Sequence, residues 1–301
     1  MLTTFRLYPD APPFSRIALG GSTFARETGQ EAAFALMDHA RARGVTMIDT
    51  AATYTAGASE QVVGAWLASR RPDPRGLVVA TKIYPPYTPE AIDTAVAASA
   101  RRLGREVIDL LYLHKWDVGA ETDEALRALD GLVRQGRVRA LGVSNFNAEQ
   151  LGRVLTRQRA LGLAGFQVLQ NNQNVAVRDV DAAVRQICAD HGLATVTYSP
   201  LGGGFLTGKH RTGVVPGSRF DVAPGHQQVY FQAVAERRLA RLEELSRQTG
   251  VPMPKLALAW ALHQPGVTSV LVGGRGPGYI DQALDALAFQ DPTVFAALES
   301  A

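Results

Sequence analysis

The sequence has 301 residues, 46% of them hydrophobic and 20% charged, with a formal net charge of +3. That apolar share excludes a chain that stays disordered, and the length suffices for one large core or two small ones. The positive excess is slight and scattered, with no run of five or six basic residues, so a nucleic-acid surface is not expected, while a site for an anionic small molecule stays open.

The opening stretch MLTTFRLYPDAPPF lacks the apolar segment of a secretion signal, and no apolar run reaches 18 residues, so no membrane span is expected. A cytoplasmic location follows as the expectation. The single cysteine, Cys188, cannot form a disulfide within the chain. It falls on the apolar side of a helical pattern and reads as a buried structural thiol.

Residues 1–15 precede the first regular segment and are expected to form a short hairpin. From there two kinds of segment alternate. Short, apolar, often β-branched stretches read as strands buried on both faces: SRIALGG, VTMIDTA, GLVVATKI, VIDLLYLH, VRALGVSNF, GFQVLQNN and GLATVTYSP. Longer amphipathic stretches between them read as helices: GQEAAFALMDHARARG, SEQVVGAWLASRR, TPEAIDTAVAASARRLG, TDEALRALDGLVRQG, AEQLGRVLTRQRALG and DVDAAVRQICADHG. Several open on Ser, Thr or Asp followed by Glu or Gln, a capping signal, and several close on Gly. Residues 202–265 break the beat with a Gly- and Pro-rich loop and two helices, QQVYFQAVAERRLARLEELSRQTG and PMPKLALAWALHQ, before the last strand, VTSVLVGG.

Up to residue 199 the strands recur every 27 to 31 residues, one strand and one helix per beat. Eight strands joined this way define an α/β fold, a (β/α)8 TIM barrel, with the N-terminal hairpin closing its bottom and an extra helical insertion between strands 7 and 8. A doubly wound open sheet is the alternative. No linker divides the chain, so residues 1–301 read as one domain.

In such a barrel the chemistry sits at the carboxyl ends of the strands. Strand two ends in Asp49, with Tyr54 in the loop that follows. Strand three ends in Lys82 and strand four in His114. Singly, each has an ordinary reading: a cap, a snorkelling amine, a packed ring, a structural imidazole. Four such residues at neighbouring strand ends make coincidence a poor explanation. An Asp compensates a buried Lys, and the Lys cation is expected to lower the pKa of a nearby phenol. The His would orient a carbonyl oxygen. Together they form a tuned general acid beside a polarised carbonyl, which suits hydride addition to C=O.

The motifs MIDTAATYTAGASEQVVGAWL, ATK, LLYLHKWD, GRVRALGVSNF, VLQNNQN, TYSPLGGGFLTGK and SVLVGG, in this order and spacing, resemble those of the aldo-keto reductase family. The resemblance runs from about residue 16 to residue 290. It implies a nicotinamide cofactor and a catalytic tetrad of Asp49, Tyr54, Lys82 and His114, with Tyr54 as proton donor. It also implies that Ser144, Asn145 and Gln170 bond the nicotinamide carboxamide and that Tyr198 stacks on its ring. Ser199, Leu201 and Gly203 match the loop that embraces the pyrophosphate, and Gly273 to Arg275 the stretch that grips the adenosine end. Gly21, Ser22 and Thr23, in the loop after strand one, are expected on the cofactor side as well.

Some positions depart from the family pattern. Thr55 stands where Gly often follows the tetrad Tyr, and Gln173 replaces a Tyr after strand six. Tyr279 and Ala283 replace the usual adenine-side residues, so Arg275 and Gln282 are expected to substitute. A guanidinium matches a 2′-phosphate, which favours NADPH, with NADH possible. Phe24, Tyr84, Tyr87 and Trp116 are expected to wall the substrate pocket. His39, His191, His210, His226 and His263 read as structural or exposed, and no spacing of His, Cys and carboxylates reads as a metal site.

The expected activity is NADPH-dependent reduction of an aldehyde or ketone. One alternative is an NAD-dependent sugar, alcohol or pyridoxal-type dehydrogenase running in the oxidative direction. A weaker one is a nicotinamide-binding regulatory subunit like the potassium-channel β-subunits, for which the stretch ahead of strand one offers no partner-acting extension. The expected partner is a small-molecule carbonyl compound, with oligomeric state left open.

Overall fold

The computed structural model describes residues 5–71 and 73–301. Eight parallel strands form a closed barrel: β1 (Ile17–Gly20), β2 (Met47–Asp49), β3 (Val78–Ile83), β4 (Ile108–Leu113), β5 (Val138–Ser144), β6 (Phe166–Asn172), β7 (Ala194–Tyr198) and β8 (Val267–Val272). Each strand pairs with the next, and β8 returns to β1. Alternate side chains explain the continuous apolar runs. Ala18, Met47, Ala80, Leu110, Ala140, Val168, Val196 and Leu271 fill the interior. Ile48, Val79, Leu111, Leu141 and Val143 pack outward under the helices.

The six expected helices surround the barrel: α1 (Gln30–Ala42), α2 (Ala58–Arg70), α3 (Pro89–Leu103), α4 (Asp123–Arg134), α5 (Ala148–Ala160) and α6 (Ala182–Asp190). Thr88, Thr122 and Asp181 cap α3, α4 and α6 through their side chains, and Asn147 with Gln150 forms a reciprocal capping box on α5. Ser59, which reads as a cap for α2, instead lies inside that helix and donates to the Gly21 carbonyl at 2.8 Å. Cys188 in α6 is buried.

The expected hairpin is present from Phe5 onward, with Arg6 bridging Pro13 and the Phe14 N–H donating to the Phe5 carbonyl at 2.9 Å. Residues 1–4 of that expectation lie outside the described residues. Leu7, Ala11 and Phe14 insert into the lower interior of the barrel. At the same end Asp109, 1% exposed, accepts from the Val79 N–H at 2.9 Å and from Arg105 at 3.2 Å.

The insertion between β7 and β8 carries α7 (Arg219–Val222), α8 (Gln227–Tyr230), α9 (Ala233–Thr249) and α10 (Met253–Leu262). The first of its two expected helices is therefore broken, at Phe231 and Gln232. Phe231 leaves the helical track to pack edge-on against Phe205 and Phe220, at centroid distances of 5.7 and 5.1 Å. Two helices follow β8: α11 (Gly278–Leu287) and α12 (Pro292–Glu299). Among the described residues no helix is long and apolar enough to cross a membrane.

Candidate active site

The carboxyl ends of β2 and β3 bring Asp49 and Lys82 together, each 1% exposed, in a direct ion pair. The Lys82 ammonium also donates to the Thr50 carbonyl at 2.9 Å and to the Tyr54 hydroxyl oxygen at 3.3 Å, so its three hydrogens are all committed. Gln170 Nε2, from β6, donates to the other Asp49 oxygen at 2.9 Å. Burial works against the Lys82 cation, but Asp49 and the Tyr54 oxygen override it and its pKa is raised. Burial lifts the Asp49 carboxyl against the pull of Lys82 and Gln170.

Tyr54 follows β2 on a turn of unusual backbone. Thr55 (φ 50°, ψ 46°), Ala56 (φ 51°, ψ 37°) and Gly57 (φ 90°) are left-handed in succession. Thr55 thus takes a conformation that glycine adopts freely, and its hydroxyl donates to the Phe24 carbonyl at 3.3 Å. A Cβ on Gly57 would lie 2.7 Å from Arg102 Nε. That guanidinium is held at 2.6 Å by Glu60, a fully buried carboxylate on α2.

Lys82 was expected to lower the Tyr54 pKa. Its pull is present, but burial outweighs it and the phenol is raised, so Tyr54 is protonated at neutral pH. His114 directly follows β4, with its ring edge-on to Tyr54 at a centroid distance of 5.7 Å. Burial first, and then Lys82, drive its pKa down to about 3, so the imidazole is neutral. The Tyr198 hydroxyl donates to Asn145 Oδ1 at 2.6 Å, and Asn145 Nδ2 donates to the His114 carbonyl at 2.8 Å, which ties β7, β5 and β4 together.

A cleft of about 730 Å³ opens over these strand ends. Tyr54, His114, Tyr84 and Asp49 line it, as do Ser22, Thr23, Ser144, Asn145, Gln170, Tyr198, Ser199, Leu201, Gly203, Gly273, Arg275 and Gln282. Gly21 does not. Its N–H is bonded to the Asp49 carbonyl at 2.8 Å, and Phe24 and Ser59 crowd the space a side chain would need.

Three of the four expected pocket aromatics also lie elsewhere. Phe24 is fully buried in the core between the barrel and α1, α2 and α11. Tyr87 turns inward, 2% exposed, and its hydroxyl donates to the Lys115 carbonyl at 2.8 Å. Trp116 packs on the core around α4, with its indole N–H donating to Glu121 at 2.6 Å. In each case a polar partner or an apolar socket outside the cleft competes for the ring.

Glu27, Lys209 and Arg219, which the sequence did not single out, also line the cleft, as does His226. His226 was expected to be structural or exposed, but it faces the cleft with Nε2 3.0 Å from Arg219 Nη2. The signal available was a cluster of cationic residues in a Gly-rich segment at the barrel mouth. Tyr279 lines the outer end with its ring against Gly274, whereas Ala283 is fully buried and contacts only core.

The Gly203–Gly204 backbone (φ 65° and 99°) can be approached closely only because both residues are glycine. A Cβ on Gly204 would stand 2.9 Å from Lys209 Cε, and one on Gly203 would stand 3.3 Å from Arg219 Cγ. Arg219 Nη1 is buried without a hydrogen-bond partner, 4.0 Å from Glu27. A left-handed glycine pair under two cations, one with an unused donor, fits a diphosphate.

Barrel, buried Asp–Lys–Tyr cluster and anion cradle together define a nicotinamide-dependent oxidoreductase of the TIM-barrel type. The aldo/keto reductase family model matches residues 16–300, and the chain belongs to that family. Norsolorinic acid reductase B of Dothistroma septosporum is 32% identical over 91% of this chain and 74% of its own length. A probable voltage-gated potassium channel subunit beta of Arabidopsis thaliana is 26% identical, covering 92% of this chain and 89% of the relative. The oxidoreductase YrpG of Bacillus subtilis is 28% identical, covering 87% and 83%.

Proposed function

We propose that the protein reduces an aldehyde or ketone to the alcohol with NADPH, Tyr54 giving the proton. The observation that carries this reading is the Lys82–Tyr54 hydrogen bond of 3.3 Å. Lys82 has no acceptor to offer, so the Tyr54 oxygen receives and its own hydrogen is free to point into the cleft. Bound NADPH would supply the hydride for the carbonyl carbon, itself becoming NADP⁺. The oxygen, gaining charge, takes the Tyr54 proton, and the phenolate left behind keeps the Lys82 N–H. Its raised pKa then favours recovery of a proton from solvent.

Asp49 holds Lys82 charged and in place. Ser144, Asn145 and Gln170 would bond the nicotinamide amide, and Tyr198 would stack on its ring. Ser199, Leu201 and Gly203, with Lys209 and Arg219, would hold the diphosphate. NADPH is preferred to NADH on the strength of Arg275, an exposed guanidinium at the outer end of the cleft beside Tyr279 and Gln282. The whole chain, residues 1–301, acts as one catalytic unit, located in the cytoplasm and working on a small-molecule carbonyl compound.

The test is a fluorescence titration with NADPH and with NADH, followed by turnover of a panel of aldehydes and ketones, with Tyr54→Phe as control. Tight NADPH binding with turnover lost in the variant supports the reading. Preference for NAD⁺ with alcohol oxidation transfers it to a dehydrogenase, and failure to bind either nucleotide removes it.

A further inference from the structure

Thr53 immediately precedes Tyr54, lines the cleft and is exposed. Its hydroxyl oxygen lies 3.2 Å from His114 Nδ1. We propose that Thr53 donates to Nδ1 and thereby fixes His114 as the tautomer with hydrogen on Nε2, so that a second donor, the Nε2–H, faces the carbonyl oxygen beside the Tyr54 O–H. This rests on the reading of the site as a carbonyl reductase.

The position of the ring is constrained from several sides. The His114 backbone N–H donates to the Ile83 carbonyl at 2.9 Å, and its carbonyl accepts from Asn145 at 2.8 Å. Tyr54 and Tyr84 flank the imidazole edge-on at 5.7 and 5.9 Å. The ring is neutral, so one nitrogen alone carries hydrogen. Among the described residues Thr53 Oγ has no hydrogen-bond partner but Nδ1, and Nε2 has none at all.

The chemistry selects between the two tautomers. Lys82 has spent its donors on Asp49, Thr50 and Tyr54 and has none for the substrate. A carbonyl oxygen accepting from Tyr54 has a second lone pair, and a bare Nε2 would repel it. With the Thr53 hydrogen on Nδ1, the Nε2–H meets that lone pair instead. Thr53 is in this respect a positioning residue, acting through His114.

The test uses the full chain labelled with ¹⁵N-histidine. Long-range ¹H–¹⁵N correlation reads the tautomer of each ring, and His114→Asn identifies the His114 signals. The wild type is expected to show Nδ1 bare and Nε2 protonated. Thr53→Val keeps the side-chain shape and removes the hydroxyl, and it should give a mixed tautomer with kcat about tenfold lower and the Kd for NADPH unchanged. Thr53→Ser should restore the single tautomer and most of the rate. Hydrogen on Nδ1 in the wild type, or a Thr53→Val spectrum and kcat identical to wild type, overturns the proposal. A wild-type Nε2–H that turns mixed in Thr53→Val, in a protein that reduces no carbonyl, upholds the role of Thr53 and refutes the carbonyl-reductase reading instead.

Discussion

Arg275 Nη2 donates to the carbonyl oxygen of Gly217 at 2.6 Å, and this bond ties the end of β8 to the insertion loop across the outer cleft. The guanidinium has five hydrogens, so this bond leaves others for a phosphate. Arg275→Leu is expected to raise the Kd for NADPH at least tenfold while moving that for NADH about twofold, since a charge-assisted contact is worth about 1.5–3 kcal/mol. Equal weakening of both nucleotides in titrations at one salt concentration would show that Arg275 fastens the loop and ignores the 2′-phosphate.

Tyr54→Phe removes one oxygen from a half-buried ring. Turnover of the best carbonyl substrate should drop by a factor of about 10²–10⁴, the usual contribution of a positioned general acid. NADPH affinity and the melting temperature should stay near wild type. A variant with wild-type kcat would assign the proton to another donor.

Lys82→Met leaves the buried Asp49 without its partner, at a cost of about 3–5 kcal/mol. The double variant Asp49→Asn/Lys82→Met buries no isolated charge. Its loss of stability in urea should be smaller than the sum of the two single losses, because the residues are in contact. Additive losses would mean that the two side chains are not coupled.

The pKa directions set the response to pH. Tyr54 is raised and His114 is lowered to about 3, so neither changes charge between about pH 6 and about pH 9, and kcat for reduction should be flat there. For stability, the folded His114 binds a proton more weakly than the unfolded one. Its contribution is therefore complete above the unfolded value of 6.5 and is lost as pH falls from there toward about 3. The stability gap between wild type and His114→Asn should change through that acid window and level off above it; a gap still changing between pH 7 and pH 9 would contradict the assignment.

Gly57→Ala should lower the melting temperature by several degrees and reduce kcat as well. At φ 90° an alanine is strained, and its Cβ meets Arg102 under the turn that carries Tyr54. Loss of stability with kcat intact would detach that turn from the chemistry.

The strands and the four polar residues at their ends were legible because a parallel strand buried on both faces is an unbroken apolar run, and a charged residue closing such a run stands out. The direction of the Tyr54 pKa was not, since it depends on whether burial or Lys82 is stronger, and burial depth is a property of the folded loops. Phe24, Tyr87 and Trp116 show the same limit. An aromatic after a strand can turn to the cleft or to the core, and partners distant in sequence decide which. Arg219 was not singled out and His226 read as structural or exposed, because only the path of the insertion brings them back over the barrel. The break at Phe231 escaped because a helical pattern does not show that one ring has a better socket elsewhere.

Asp109 and His114 belong to one short stretch of chain yet serve opposite ends of the barrel. The carboxylate is fastened at the lower end, with Arg105, the Val79 N–H and Tyr8 of the hairpin, and the imidazole stands above in the cleft. A charge that fastens neighbouring strands thus lies away from the cleft at Asp109, whereas the Asp49–Lys82 pair joins β2 and β3 beside it. Selection can therefore retune the heat tolerance of the lower end without touching the groups that line the cleft.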